Sequence, residues 1–115
     1  MQTNWWILGL VAAFFAWRFV RFRLVRRRLG RLMQEGALLV DVRSEAEFAA
    51  GHNPASVNVP LPELAARARD WNRDRTVVLC CASGTRSGMA IAVLRAQGFR
   101  SVLNAGPWSN TFWES

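Results

Sequence analysis

Two patterns of apolar positions divide the chain. Trp5 to Trp17 is continuously apolar or small, thirteen residues in a row, and Phe19 and Val20 extend the run past Arg18. As a helix, these sixteen residues would measure roughly 24 Å, slightly short of the ~30 Å hydrocarbon core of a bilayer. Local thinning and a snorkelling Arg18 would make up the difference. Trp5, Trp6 and Trp17 stand at the ends of the run, where indole rings favour the membrane interface. The pattern predicts one transmembrane helix over 1–21. A half-inserted helix lying in the interface is the competing reading, because arginines interleave with Phe19, Val20, Phe22, Leu24 and Val25. A cleaved signal peptide fits less well, since no charged segment precedes the run.

Beyond residue 36 the apolar runs are short and alternate in type. Leu38 to Val42 reads as a buried strand. Ser44-Glu45-Ala46-Glu47 is a capping box that starts a helix ending near Gly51. Val57 to Val59 is a brief strand closed by Pro60, and Pro62 to about Ala68 is helical. Thr76 to Cys80 is β-branched and apolar on both faces, the strongest strand signal. Ser87 to Gln97 is a helix with Met89, Ala90, Val93 and Leu94 at core spacing, stopped by Gly98. Val102-Leu103 is a last strand. Strands alternating with helices predict an α/β domain over 37–115 with a parallel sheet covered on both faces. No internal repeat is present.

Charge sharpens this division. The net charge is +7 and all fifteen basic residues are arginine. Seven of them, Arg18 to Arg31, lie in fourteen residues without an acid, whereas from Leu32 onward eight arginines balance eight acids. The globular part therefore lacks the basic excess that a nucleic-acid partner would require. Arginines beside a span stay on the cytoplasmic side, so the expected arrangement is single-pass in the cell inner membrane. The amino terminus would lie outside, and a basic juxtamembrane helix over 22–36 would lie against anionic headgroups.

Candidate chemistry follows the strongest strand. In open parallel sheets, ligands sit beyond the carboxyl ends of the strands. There Cys81-Ala82-Ser83-Gly84-Thr85-Arg86-Ser87 leads into a helix. A loop of small residues can turn its amides around one point, and a cysteine in first position would place its sulfur there. The amides and nearby Arg86 would favour thiolate over thiol, making Cys81 a nucleophile. Gly84 permits the curl and Ser87 is placed to cap the helix. No His, Cys or carboxylate cluster has metal spacing, and no cofactor is expected beyond a covalent persulfide on Cys81.

These residues carry a family resemblance. Leu39-Val40-Asp41-Val42-Arg43, then Glu47-Phe48, Gly51-His52, Asn58-Val59-Pro60 and Cys81-x-x-Gly84-x-Arg86-Ser87 resemble a single-domain rhodanese, a thiosulfate sulfurtransferase-like protein. Gly98-Phe99 and Asn104-x-Gly106 continue the match. The resemblance implies a three-layer α/β/α fold with a central parallel sheet, and sulfane-sulfur transfer through Cys81. It implies a donor such as thiosulfate or a persulfide, a thiol acceptor, and Arg43 as a structural partner of Glu47. His52 is either a general base or a hydrogen-bonding brace for its loop. Ser83 and Thr85 could contact a sulfonate-like donor.

Counted from Cys81, the motif is Cys-x4-Arg, the loop length that suits sulfur in this family. Counted from Cys80 it is Cys-x5-Arg, the longer loop of related phosphatases and arsenate reductases. Cys81 is preferred because Cys80 continues the buried strand. Phe22 to Glu35, helical and arginine-rich, replaces the edge strand and helix with which relatives open. The sequence thus predicts a membrane-tethered sulfurtransferase. The alternatives are a catalytically weak domain docked on a membrane protein and a Cys80-based phosphatase or arsenate reductase.

Overall fold

The computed structural model describes residues 4–113. Residues 1–3 of the expected anchor and 114–115 of the expected domain lie outside the described residues. Helix α1 spans Trp5–Gln34 without a break. It is followed by β1 (Leu38–Asp41), α2 (Glu45–Ala50), β2 (Val57–Asn58), α3 (Leu61–Arg67), β3 (Val77–Cys81), α4 (Thr85–Ala96) and β4 (Val102–Pro107). Single 3-10 turns occupy Ala68–Asp70 and Trp108–Thr111. The sheet is fully parallel in the order β2-β1-β3-β4.

Alternation along β3 assigns the two layers. Val77, Leu79 and Cys81 face one side with Val40, Val42, Leu64, Ala90 and Leu94. This core is covered by α3 and α4, and each fully buried leucine contributes ~1.5–3 kcal/mol. Val78 and Cys80 face the other side with Leu39, Ala105 and two α1 residues, Val25 and Leu29. The carboxyl-terminal part of α1 is therefore one layer of the α/β/α fold. A side chain from the last turn fastens it: Asn110 Nδ2 donates to the carbonyls of Phe22 (2.9 Å) and Ala105 (2.8 Å).

The amino-terminal part of α1 projects from the domain, and Trp5, Trp6, Leu8, Leu10, Phe15 and Trp17 are all exposed. The expected transmembrane helix is not found, because among the described residues no helix is long and apolar enough to cross a membrane. Arg18, Arg21 and Arg23 follow the thirteen apolar residues too closely. Residues 22–34 continue the same helix and lodge Val25 and Leu29 in the core.

Most of the expected elements appear within a residue or two of their predicted bounds. The last strand runs four residues further than Val102-Leu103, because β4 continues past a register irregularity to Pro107. Helix α4 starts at Thr85, capped by Gly84 at φ +99° with no side-chain cap. Ser87 therefore lies inside the first turn and does not cap the helix. Its hydroxyl faces the loop instead.

Candidate active site

Strand β3 delivers Cys81 to the start of the loop, with its side chain on the α4 face. The Gly84 amide donates to Cys81 Sγ at 2.9 Å, and Ser87 Oγ lies 3.4 Å from the sulfur. Burial opposes the thiolate. It is outweighed by hydrogen bonds from the Ser87 hydroxyl and from the backbone amides of Ser87, Ser83 and Gly84, so the thiol titrates below its ordinary value. Cys81 itself is fully buried beneath exposed Ala82, Ser83 and Thr85.

Cys80 has the opposite setting. It packs against Val25 and Leu29 on the far face of the sheet. Burial, followed by the Asp41 carboxylate, pushes its thiol well above the usual range.

The supporting residues form two ion pairs. Asp41 is fully buried and takes Arg43 in a fork, with Nε at 3.0 Å from both oxygens and Nη2 at 2.8 Å. Arg43 also donates to the carbonyls of Gly51 (2.7 Å) and Glu47 (3.3 Å), and its guanidinium lies over the Trp108 ring. The Glu47 carboxylate does not partner Arg43. It receives Arg86 in a bidentate pair at 2.7 and 2.9 Å. Arg86, which holds its proton more tightly for this pairing, is thus directed to α2, and no hydrogen bond joins it to the sulfur. That bridge and its capping contacts with Ser44 lower Glu47 to about 2. His52 stacks on Phe48 with ring centroids 3.7 Å apart, and its Nδ1 meets the Phe48 carbonyl at 2.7 Å.

Asn104 is the residue whose part the sequence left unstated. Its Oδ1 accepts from Ser87 Oγ (2.7 Å) and from the Gly106 amide (2.8 Å), and its Nδ2 donates to the Gly84 carbonyl (3.0 Å). It ties β4 to the middle and the end of the loop. The Asn104-x-Gly106 pair was visible, but a polar residue at a strand end has no assigned target until the topology places β4 beside β3. From α1, Arg18 Nη2 donates to the Ser83 carbonyl at 3.1 Å. The Phe22 ring sits so close to Gly84 and Gly106 that a Cβ at either would lie 2.8 or 2.6 Å from it. Gly106 is also at φ +78°, where other residues are strained. Asn53 donates to Thr111 Oγ1 (3.0 Å) and to its carbonyl (3.1 Å), joining the α2–β2 segment to the final turn.

Among the described residues no group of three or more His, Cys, Asp and Glu side chains could hold a metal ion. The arrangement instead presents a lone sulfur, ringed by donors, at the carboxyl end of a central parallel strand. That defines an α/β domain built to hold a thiolate. The chain belongs to the rhodanese-like domain family, which matches residues 26–106. It is 43% identical over 70 residues to a sulfurtransferase of Allochromatium vinosum, covering 61% of this chain and 65% of that one. An uncharacterised Bacillus subtilis protein, YqhL, is 31% identical over 110 residues, 90% of this chain and 87% of that one. Among solved structures, an Escherichia coli rhodanese with anions superposes at a TM-score of 0.63 with 28% identity, covering 69% of this chain and 95% of that one. The chain spans 65% of the length of that Allochromatium sulfurtransferase and 40% of the length of a further relative, the Bacillus subtilis putative sulfur carrier protein YrkF. Sulfurtransferases are thus among the relatives of this chain.

Proposed function

We propose that this chain is a membrane-tethered sulfurtransferase that moves sulfane sulfur through a persulfide on Cys81. The observation that carries the reading is the 2.9 Å contact of the Gly84 amide with Cys81 Sγ, one member of a donor set that lowers the thiol. The Cys81 thiolate attacks the outer sulfur of a donor such as thiosulfate. A Cys81 S–S bond forms, the donor's S–S bond breaks, and sulfite leaves with the electron pair. An acceptor thiolate then attacks the outer sulfur of the persulfide. Its new S–S bond forms as the Cys81 S–S bond breaks, and the loop amides receive the returning thiolate. Full burial of Cys81 favours a slim terminal sulfur over a bulky electrophile.

Tethering rests on the exposed apolar end of α1 and the arginines that follow it. Without a span, that end inserts into the surface of an anionic leaflet, on the cytoplasmic side of the inner membrane, with the arginines at the headgroups.

Mass spectrometry of the chain treated with thiosulfate or a low-molecular-weight persulfide tests the chemistry. One added sulfur atom is expected in the wild type and in Cys80→Ser, and none in Cys81→Ser. Uptake that survives loss of Cys81 but not of Cys80 would transfer the role to Cys80. Uptake by neither would leave a binding domain without turnover. Cell fractionation tests the tether: Trp6, Leu10 and Phe15, all exposed, are replaced by Ser, and the chain should leave the membrane fraction.

A further inference from the structure

Where α1 leaves the domain, it opens a groove of about 340 Å3 along the free edge of β4. The groove has two chemistries. Phe14 and Trp17 line it from the projecting part of α1, while Arg18 and Arg21 on α1 and Arg95 on α4 bring three guanidinium groups to it. Among the described residues none of these arginines has a carboxylate within 4.0 Å. Two are already oriented: Arg21 lies over the Trp17 ring at 4.6 Å, and Arg18 lies over Phe22 at 5.2 Å while bonded to Ser83. Stacked guanidinium groups lose little freedom on meeting a phosphate and match its oxygens in pairs. The groove also stands at the boundary where the apolar run ends and the arginines begin. A ligand that suits both walls carries an anionic phosphate joined to a hydrocarbon chain.

We infer that this groove binds the phosphate of an anionic phospholipid, with Arg21 and Arg95 on the phosphate and an acyl chain along Phe14 and Trp17. This rests on the tethering proposed above and deepens it, replacing a diffuse attraction of the arginine run with a defined lipid site. The site adjoins the sulfur loop through two of its own walls. Arg18 holds the Ser83 carbonyl, and Asn104 holds the Gly84 carbonyl and the Ser87 hydroxyl. A bound headgroup would therefore lie one side chain away from the loop that carries the persulfide.

The test is co-sedimentation of the full chain with vesicles of phosphatidylcholine alone and of phosphatidylcholine mixed with phosphatidylglycerol, at fixed ionic strength. Two double variants remove the same charge. Arg21→Gln with Arg95→Gln removes the two arginines assigned to the phosphate and leaves Arg18, whereas Arg27→Gln with Arg28→Gln acts on exposed arginines outside the groove, and circular dichroism verifies that both fold. Diffuse attraction is worth about fivefold in affinity per arginine, so the outside pair sets the background loss. The groove pair should lose about tenfold more than that background, as expected when a phosphate loses paired charged hydrogen bonds. Equal losses in the two variants would overturn the site while leaving the tether intact. Failure of the wild type to bind either vesicle would overturn the tether as well. Excess glycerol phosphate separates the two sources of a phosphate: no displacement supports the lipid, and displacement from the phosphatidylglycerol vesicles would assign the groove to a soluble phosphoester. Displacement by an acidic peptide, but not by glycerol phosphate, would assign it to a strand added to the β4 edge.

Discussion

Cys80 and Cys81 are neighbours in one strand, and the sheet sets them in opposite worlds. On the α4 face, the Cys81 sulfur looks into a loop whose amides and one hydroxyl point back at it, and its thiol titrates low. On the α1 face, Cys80 meets Val25, Leu29 and Ala105 together with the field of Asp41, and its thiol is pushed up. Both are fully buried, so depth does not distinguish them. What does is whether buried donors replace the water that was lost. The strand's two-residue period converts one step in sequence into the difference between a thiol ringed by donors and one enclosed in apolar side chains.

The most disruptive way to disturb that contrast is at the strand paired with Cys80. Asp41 sits in register with Cys80 on β3 and neutralises buried Arg43. Asp41→Asn leaves that guanidinium without its counter-ion, and the expected cost is about 3–5 kcal/mol of stability. The Cys80 thiol should move down, since the carboxylate that raises it is gone. Urea unfolding measures the first effect, and the ultraviolet absorbance of the thiolate against pH, read in a Cys81→Ser background, the second. A stability change within experimental scatter would show that the pair does not hold the strand ends together.

Leu29→Ala acts on the apolar cover of Cys80. Leu29 is fully buried in the cluster that contains it, and its truncation should cost about 2–5 kcal/mol depending on how far the cavity collapses. The expected companion effect is that Cys80 becomes modifiable in the folded protein while the Cys81 rate stays unchanged. If stability does not fall, α1 is an appendage rather than a layer of the domain.

Much of this arrangement could be read from the residues, and the gaps have physical causes. The strands, the capping box at Ser44 and Glu47, and the loop from Cys81 to Ser87 are local signals, written in adjacent positions. Pairing between distant side chains is not local. Arg43 and Arg86 both lie within reach of acids, and only the sheet order decides that Arg43 takes Asp41 and Arg86 takes Glu47. Ser87 looked like a cap because hydroxyls before helices usually cap them. The left-handed Gly84 moved the helix start forward and left the hydroxyl to the sulfur and Asn104. For α1, composition pointed to the bilayer and the resemblance placed Phe22 to Glu35 at the domain's opening position, but a pattern interrupted by arginines does not show that Val25 and Leu29 are core residues. The docking of Phe22 on two glycines from separate strand ends had no sequence signal at all.

Ser87→Ala refines the comparison on the reactive face. Its hydroxyl is the leading donor that opposes burial at Cys81, with further help from its own backbone amide, which alanine keeps. The thiol should rise, because burial is then opposed by the backbone amides alone. The measurement is the inflection of the Cys81 alkylation rate with pH. No movement would assign the low value to the amides alone. A rise to the position of Cys80 would mean that the loop had lost its shape.

The smallest expected effect lies furthest from the sulfur, at Glu47. Its carboxyl is lowered from 4.5 to about 2 by the Arg86 bridge and the Ser44 contacts. A depressed carboxyl stabilises the folded state above its unfolded value and loses that contribution as the pH falls through its folded value. Stability from this pair is therefore complete above about pH 4.5 and gone below about pH 2. Glu47→Gln should flatten the acid limb across that window and change stability little at neutral pH, because both side chains of the bridge are more than a third exposed. Urea midpoints between pH 5 and 2 provide the comparison. The Cys81 inflection should hardly move in this variant, because Arg86 is aimed at Glu47 and the sulfur is held by amides. A strong drop in the Cys81 inflection would mean that the freed Arg86 swings to the thiolate, so that on this face the low thiol would depend on a mobile cation as well as on fixed dipoles.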